Sequence, residues 1–200
     1  MTALKAKTTF LGVGRPRSED ASASVQQVAL DLAHQGGMAN ATVEKIARKS
    51  GVAKTTIYRR WPNAAAIVMD AFLQDMSPLI EYRIQPTLKQ TFASTLKQFI
   101  AALNGPRGVL LRNLLGAAQA DADLQSAFQK QWIGPRRDHA TKVLADARNR
   151  GDLAPHVHGD VLIDSLYGAI YYRLMIPYAD LSDEYVDRLI DQIFAGVSES

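Results

Sequence analysis

Residues 42–61, TVEKIARKSGVAKTTIYRRW, decide the fold. They read as two short helices joined by a tight turn, with cations and hydroxyls gathered on the second. Ile46, Ala47, Val52 and Ile57 fall where two crossed helices must touch, and Ala47 is small where they approach most closely. Gly51 sits in the turn, where the residue after a helix commonly needs a positive φ that glycine adopts without steric cost. Thr42 is a good N-cap, and Glu44 sets a carboxylate in the first turn, against the positive end of the helix dipole.

The second helix, expected over 53–60, buries Ile57 and anchors through Trp61. Lys54, Thr55, Thr56, Tyr58, Arg59 and Arg60 then face outward or sideways, and none of them is acidic. A helix-turn-helix unit lays its second helix in the DNA major groove and reads base edges from that helix's N-terminal residues. On this geometry Lys54 and Thr55 read bases, Thr56, Tyr58 and Arg60 hold phosphates, and Arg59 suits either task. The competing reading, a helical hairpin with a solvated basic face, does not require this glycine, this alanine and this apolar spacing together.

Charge is distributed to match. Residues 1–62 hold ten Lys/Arg against four Asp/Glu, net +6, while the remainder holds thirteen against sixteen, net −3. A cationic end of this kind releases counterions from a polyanion. The 200 residues are 47% hydrophobic and 22% charged, which supports a sizeable core. With no cysteine, disulfides, thiol redox sensing and zinc-thiolate sites are excluded. There is no apolar run long enough to cross a bilayer, and MTALKAKTTF lacks the long apolar stretch of a secretory signal, so a cytoplasmic protein without a membrane partner is expected.

Three regions follow. Residues 1–17, with Lys5, Lys7, Arg15 and Arg17, read as a basic flexible arm of the kind that enters a minor groove, or as a solubilising tail. Residues 18–62 form the helix-turn-helix domain, backed by a helix expected over 18–35 with Val25, Val28, Ala29 and Leu32 on one face and a Gly36-Gly37 stop. Residues 63–200 form a helical body, entered by a long fourth helix expected over 63–80 with Ile67, Val68, Ala71, Phe72 and Met76 along its stripe. Gly134-Pro135 is expected to kink or break the chain. The final helices, expected over 159–176 and 182–197, carry more apolar side chains than one buried stripe requires. Leu166, Ile170, Leu174, Val186, Leu189, Ile190 and Ile193 are therefore expected to form a homodimeric four-helix bundle, with plain intrachain core as the alternative.

The order of these parts, Gly14-Arg15-Pro16-Arg17, a first helix ending in Gly-Gly, TVEKIARKSGVAKTTIYRRWPN and a helical body with LYGAIYYRLM, resembles the TetR family of bacterial transcriptional regulators. The resemblance implies an all-α homodimer that binds a palindromic double-stranded operator and usually represses, with a small-molecule inducer in the C-terminal domain releasing the DNA. Carried onto this chain, the family's DNA contacts fall on Thr42, Lys54, Thr55, Tyr58, Arg59 and Arg60. One departure is Ala64, where many members place a phosphate-touching lysine. Asn63 and the helix N-terminus are expected to offer backbone N–H groups there instead.

For the inducer the expected lining is Phe99, Leu103, Phe128, Trp132, Tyr167 and Tyr171, with Arg112 or a histidine supplying polarity, although aromatic residues at helical spacing commonly fill cores. The ligand such a lining takes is largely apolar or aromatic. His156, His158 and Asp160 have the look of a metal cluster, but Asp160 is equally explained as a first-turn carboxylate, so no metal or cofactor is expected. No nucleophile, paired acids or phosphate-binding glycine loop can be assembled into an enzyme site. A ligand-independent structural DNA binder is the remaining alternative; it would lack the roughly 10³-fold or greater preference of a specific repressor over its own nonspecific binding.

Overall fold

The computed structural model describes residues 16–195. Its order is α1 (Pro16–Gly36), α2 (Val43–Ser50), α3 (Lys54–Tyr58), α4 (Ala64–Met76), α5 (Leu88–Leu103), α6 (Pro106–Ala118), α7 (Ala122–Phe128), α8 (Gly134–Asn149), α9 (Gly159–Met175) and α10 (Asp183–Phe194). No strand occurs among the described residues. The protein is all-α.

The N-terminal domain is built as its side chains dictate. Thr42 caps α2 by accepting the Lys45 N–H, an interaction worth about 1 kcal/mol. Gly51 closes α2 at φ 71°, ψ 8°, the left-handed conformation a Cβ would strain. Ile46 and Ile57 are wholly buried between α2 and α3, and Trp61 is sealed beneath them. Helix α1 lies across α2 and α4 and supplies Val25, Ala29 and Leu32 to the same core. Arg15 lies outside the described residues, and α1 already begins at Pro16, a residue whose missing N–H costs nothing at a helix start.

Several boundaries differ from expectation. Helix α3 is shorter than 53–60, because the chain leaves the helix after Tyr58 to reach the Trp61-Pro62 step, and a residue before proline disfavours the α conformation. Helix α4 ends at Met76 rather than 80, followed by a 3-10 turn over Ser77–Leu79. Pro78 has no N–H to extend the ladder. Helix α6 starts at Pro106, where the missing proline N–H costs nothing. No break occurs at Gly134-Pro135. Instead a π turn, Gln129–Ile133, carries α7 directly into α8, and the Gly134 N–H reaches back five residues to the Gln129 carbonyl. That wider turn accommodates the Pro135 ring within a continuous helical path.

The body packs α5 between α6 and α10, with α9 crossing α6 and α8. Thr87 and Gln90 form a reciprocal capping box at the start of α5. Its buried hydroxyls, Thr91 and Thr95, turn back to the carbonyls of Thr87 and Thr91. Gly108 permits the tight passage from α5 to α6, since a Cβ there would stand 2.1 Å from the Leu103 carbonyl oxygen.

Helix α4 is fastened near its C-terminal end and at its middle. Arg107 of α6 grips Asp75 with two N–H donors, at 2.5 and 3.1 Å. At mid-helix Asp70 accepts from Trp61 and from Gln26 of α1. One carboxylate of α4 thus ties it to the body, and another ties it to the end of the α3 segment.

Candidate functional site

The first candidate surface is α3. Lys54, Thr55, Thr56, Tyr58, Arg59 and Arg60 are all exposed, and only Ile57 among them points inward. Tyr58, 51% exposed, is a large aromatic with no packing role to explain it. Thr42 is half-buried, spending its hydroxyl on the α2 cap. Lys54 is not free: its ammonium lies 2.7 Å from the Glu44 carboxylate across the turn. That hydrogen bond draws the Glu44 carboxyl below the usual carboxylate range and raises the Lys54 ammonium. Arg60 donates to the Ser22 hydroxyl at 2.6 Å and lies over the Trp61 ring. It is thus oriented by α1 and by its neighbour rather than freely solvated. Of the arm, only the backbone of Pro16 and Arg17, in the first turn of α1, falls within the described residues. At Ala64 the helix N-terminus is partly occupied, because Asn63 itself accepts the Ala66 N–H at 2.8 Å.

The second candidate is a pocket of about 250 Å³ between α8 and α9, lined by Ile133, Arg136, Ile163, Tyr167, Gly168 and Tyr171, with Arg137 and Asp164 at its edge. Behind it stands an aromatic cluster. Trp132, fully buried in the π turn, is 5.1 Å from Phe72 of α4 and 6.3 Å from Phe99 of α5, centroid to centroid. Phe99 meets Tyr167 and Tyr171 edge-on at 5.7 and 5.9 Å. The Trp132 indole donates to the Tyr171 hydroxyl at 2.6 Å, and the Tyr167 and Tyr82 hydroxyls bond each other. Burial pushes Tyr171 up to about 12, raises Tyr167 well above the ordinary tyrosine value and raises Tyr82 as well. All three stay protonated donors near neutral pH.

The expected lining is therefore divided. Tyr167 and Tyr171 reach the pocket, whereas Phe99 and Trp132 form the layer behind them. Leu103 and Phe128 are buried core, at 3% and 5% exposure, and line no part of it. Arg112 is directed elsewhere, toward the Leu174 carbonyl at the end of α9. The polar group actually present is Arg136, whose guanidinium carbon sits 3.5 Å from the Trp132 ring centroid. Its spacing of four residues from Trp132 on a helical path is the signal that could have found it. No group of three or more His, Asp or Glu residues gathers into a metal cluster among the described residues, the His156–Asp160 segment included.

The expected dimer residues need correcting as a surface. Leu166, Ile170, Leu174, Val186 and Ile190 are at most 7% exposed within the single chain, because α9 and α10 turn these rows onto α5, α6 and each other. Leu189 and Ile193 are half-buried against the same core. What α9 leaves exposed is a different row, Val161, Tyr172 and Met175 with Ser165 and Gly168 between them.

Comparison with known proteins now decides the family. The pattern of "Bacterial regulatory proteins, tetR family" matches residues 27–70, and that of "Tetracyclin repressor-like, C-terminal domain" matches residues 86–193, more than half the chain. The chain belongs to the TetR family. A TetR-family relative, the "Uncharacterized HTH-type transcriptional regulator YdeS" of Bacillus subtilis, is 35% identical over 92% of this chain and 93% of its own length. The "DNA-binding transcriptional repressor TetR" of Mycobacteroides abscessus is 25% identical over 88% and 93%. Among solved structures, the TetR family transcription regulator SCO0332 is 33% identical and superposes with TM-score 0.76, covering 90% of this chain and all of that one. The regulator FadR from Bacillus subtilis in complex with stearoyl-CoA shares the fold at TM-score 0.70 and 18% identity, over 86% of this chain and 97% of its own. This protein is accordingly a DNA-binding transcriptional regulator of repressor type and not an enzyme. Among the described residues no helix is long and apolar enough to cross a membrane.

Proposed function

We propose that this TetR-family chain is a cytoplasmic repressor that binds a palindromic operator as a homodimer and is released by a small, largely apolar or aromatic ligand in the α8–α9 pocket. The observation that carries the DNA half is the α3 surface, where exposed hydroxyls and cations surround a single buried anchor, Ile57. Lys54 and Thr55 at the start of α3 read bases. Thr42, Thr56, Tyr58 and Arg60 hold the backbone and Arg59 serves either task, with Arg15 and Arg17 of the arm adding contacts beside them.

A second copy of the chain is the partner favoured for α9. Val161, Ser165, Gly168, Tyr172 and Met175 recur at alternating steps of four and three, the seam of a helix pair. Open space beyond the Gly168 Cα and a tyrosine 57% exposed suit close packing against an identical helix. Such a dimer sets its two reading heads about 34–36 Å apart, one turn of duplex.

The pocket's aromatic wall supports the ligand half, and relatives of this fold bind or answer to such molecules, as with FadR and stearoyl-CoA or the flavonoid-responsive regulator FrrA. Release follows if the ligand prefers one placement of Trp132, and with it Phe72 and α4, over another. Selecting duplexes from a random pool with the full chain tests the reading. Two inverted half-sites are expected, with a preference over random DNA of roughly 10³-fold or more. A single unrepeated half-site, or equal affinity for all duplexes, refutes it.

A further inference from the structure

Arg136 lines the pocket over the Trp132 ring and without a carboxylate partner among the described residues. Its Nε–H is buried and makes no hydrogen bond, and one Nη donates only to the Trp132 carbonyl, at 2.9 Å. No carboxylate among the described residues pairs with it: Asp164, the acid at the pocket edge, is held by Arg137. The charges around the pocket are therefore two guanidiniums against one carboxylate. Burial lowers the Arg136 pKa, and the groups that oppose this are the Tyr171, Tyr167 and Tyr82 hydroxyls rather than an acid. The Tyr171 oxygen already accepts the Trp132 N–H, which leaves its own proton to give. Arg173 Nε is also buried and unpaired, but its guanidinium stacks on Tyr185 and lines no part of this pocket.

A half-buried cation with its Nε–H shielded from water and no counter-ion is costly, and it is tolerated where a ligand completes it. We propose that the effector is an amphipathic carboxylate: its anionic end accepts from Arg136 and the Tyr171 hydroxyl, and its aromatic or aliphatic end lies against Ile133, Ile163 and Tyr167. This rests on the reading of the α8–α9 pocket as the effector site and specifies its chemistry. One guanidinium flanked by phenol hydroxyls matches the two oxygens of a carboxylate. Beside these the lining offers the apolar Ile133 and Ile163, and its second guanidinium, Arg137, is engaged by Asp164, which leaves no free donor set for the further oxygens of a phosphate.

Calorimetric titration of the full chain with benzoate and 2-naphthoate, each beside its neutral primary amide, tests this. Wild type is expected to bind an acid roughly tenfold or more tightly than its amide. Arg136→Met is expected to erase that preference while leaving amide binding, and Arg136→Lys to restore part of it; thermal melts verify that both variants fold. Equal binding of acid and amide, with both lost in Ile163→Trp, overturns the carboxylate and leaves the pocket standing. Failure of every probe to bind, or binding undiminished in Ile163→Trp, overturns the pocket reading and the carboxylate with it.

Discussion

The indole N–H of Trp61 donates to Asp70 Oδ2 at 3.0 Å, and the same oxygen accepts the Gln26 amide at 2.8 Å. One carboxylate on α4 thus joins the end of the reading segment to the supporting helix α1. Replacing Asp70 with Leu strands two donors in a region where Gln26 is 4% and Trp61 6% exposed. A loss of about 1–3 kcal/mol is expected. Calorimetric melting should register it, and affinity for a selected duplex should fall although Asp70 touches no DNA in this reading. An unchanged melting temperature would remove the joint from the argument.

Thr55→Ala and Arg60→Ala should separate base reading from phosphate holding. The first is expected to relax sequence preference at one position of each half-site by about 1–3 kcal/mol. The second should weaken binding to every duplex and flatten the salt dependence by about one unit per head. Arg60 is pre-oriented by Ser22, so Ser22→Ala should weaken binding in the same sequence-independent way, to a smaller degree. Binding measured over a salt series, on operator and random DNA, distinguishes these outcomes.

Glu44 holds Lys54 at 2.7 Å, in a pair whose two side chains are exposed. Glu44→Gln should free the ammonium and remove a carboxylate from the DNA-facing side, so affinity is expected to rise and the salt slope to steepen. The pH dependence has a definite sign. Glu44 is depressed in the folded chain, so its contribution is present above the ordinary carboxylate range and is lost as pH falls through its lowered value; that of Lys54 is lost as pH rises through its raised one. Weaker DNA binding by the Gln variant would mean that Lys54 needs Glu44 to be aimed.

Tyr172 stands 57% exposed on α9 and belongs to no core, so Tyr172→Glu should leave the melting of the single chain nearly unchanged. In a homodimer built on that row it places like charges face to face. Sedimentation should then show a monomer, and operator affinity should collapse as paired reading is lost. A dimer that survives both this change and Val161→Glu is built on another surface.

Burial pushes the Tyr171 hydroxyl up to about 12. A raised value in the folded chain means that its contribution to stability is whole below the ordinary value of 10.0 and is lost as pH climbs through about 12. Ultraviolet titration of wild type against Tyr171→Phe should show one late-ionising phenol fewer in the variant, beside the late phases of Tyr167 and Tyr82 that both retain. If both ionise alike near 10, the pocket is wetter than the geometry implies.

Whatever local chemistry controls was legible in the sequence. Thr42, Gly51, Ile46 and Ile57 specify a capped helix, a left-handed turn and a two-sided contact within twenty residues, and the α2–α3 unit follows from them. Helical periodicity likewise placed α9 nearly to the residue, because its apolar stripe must be covered by something. What covers it is a matter of distant packing, and only the tertiary structure decided that. Leu166 and Tyr172 are both apolar residues of α9, yet one is 0% and the other 57% exposed, according to which side α6 and α8 occupy. Arg112 and Arg136 are both arginines among leucines or aromatics, and only the π turn at Trp132 aims the second into a pocket. A helix's own residues fix its stripe; the partner it meets across the fold fixes which charge is buried and which ring is left for a ligand or a second chain.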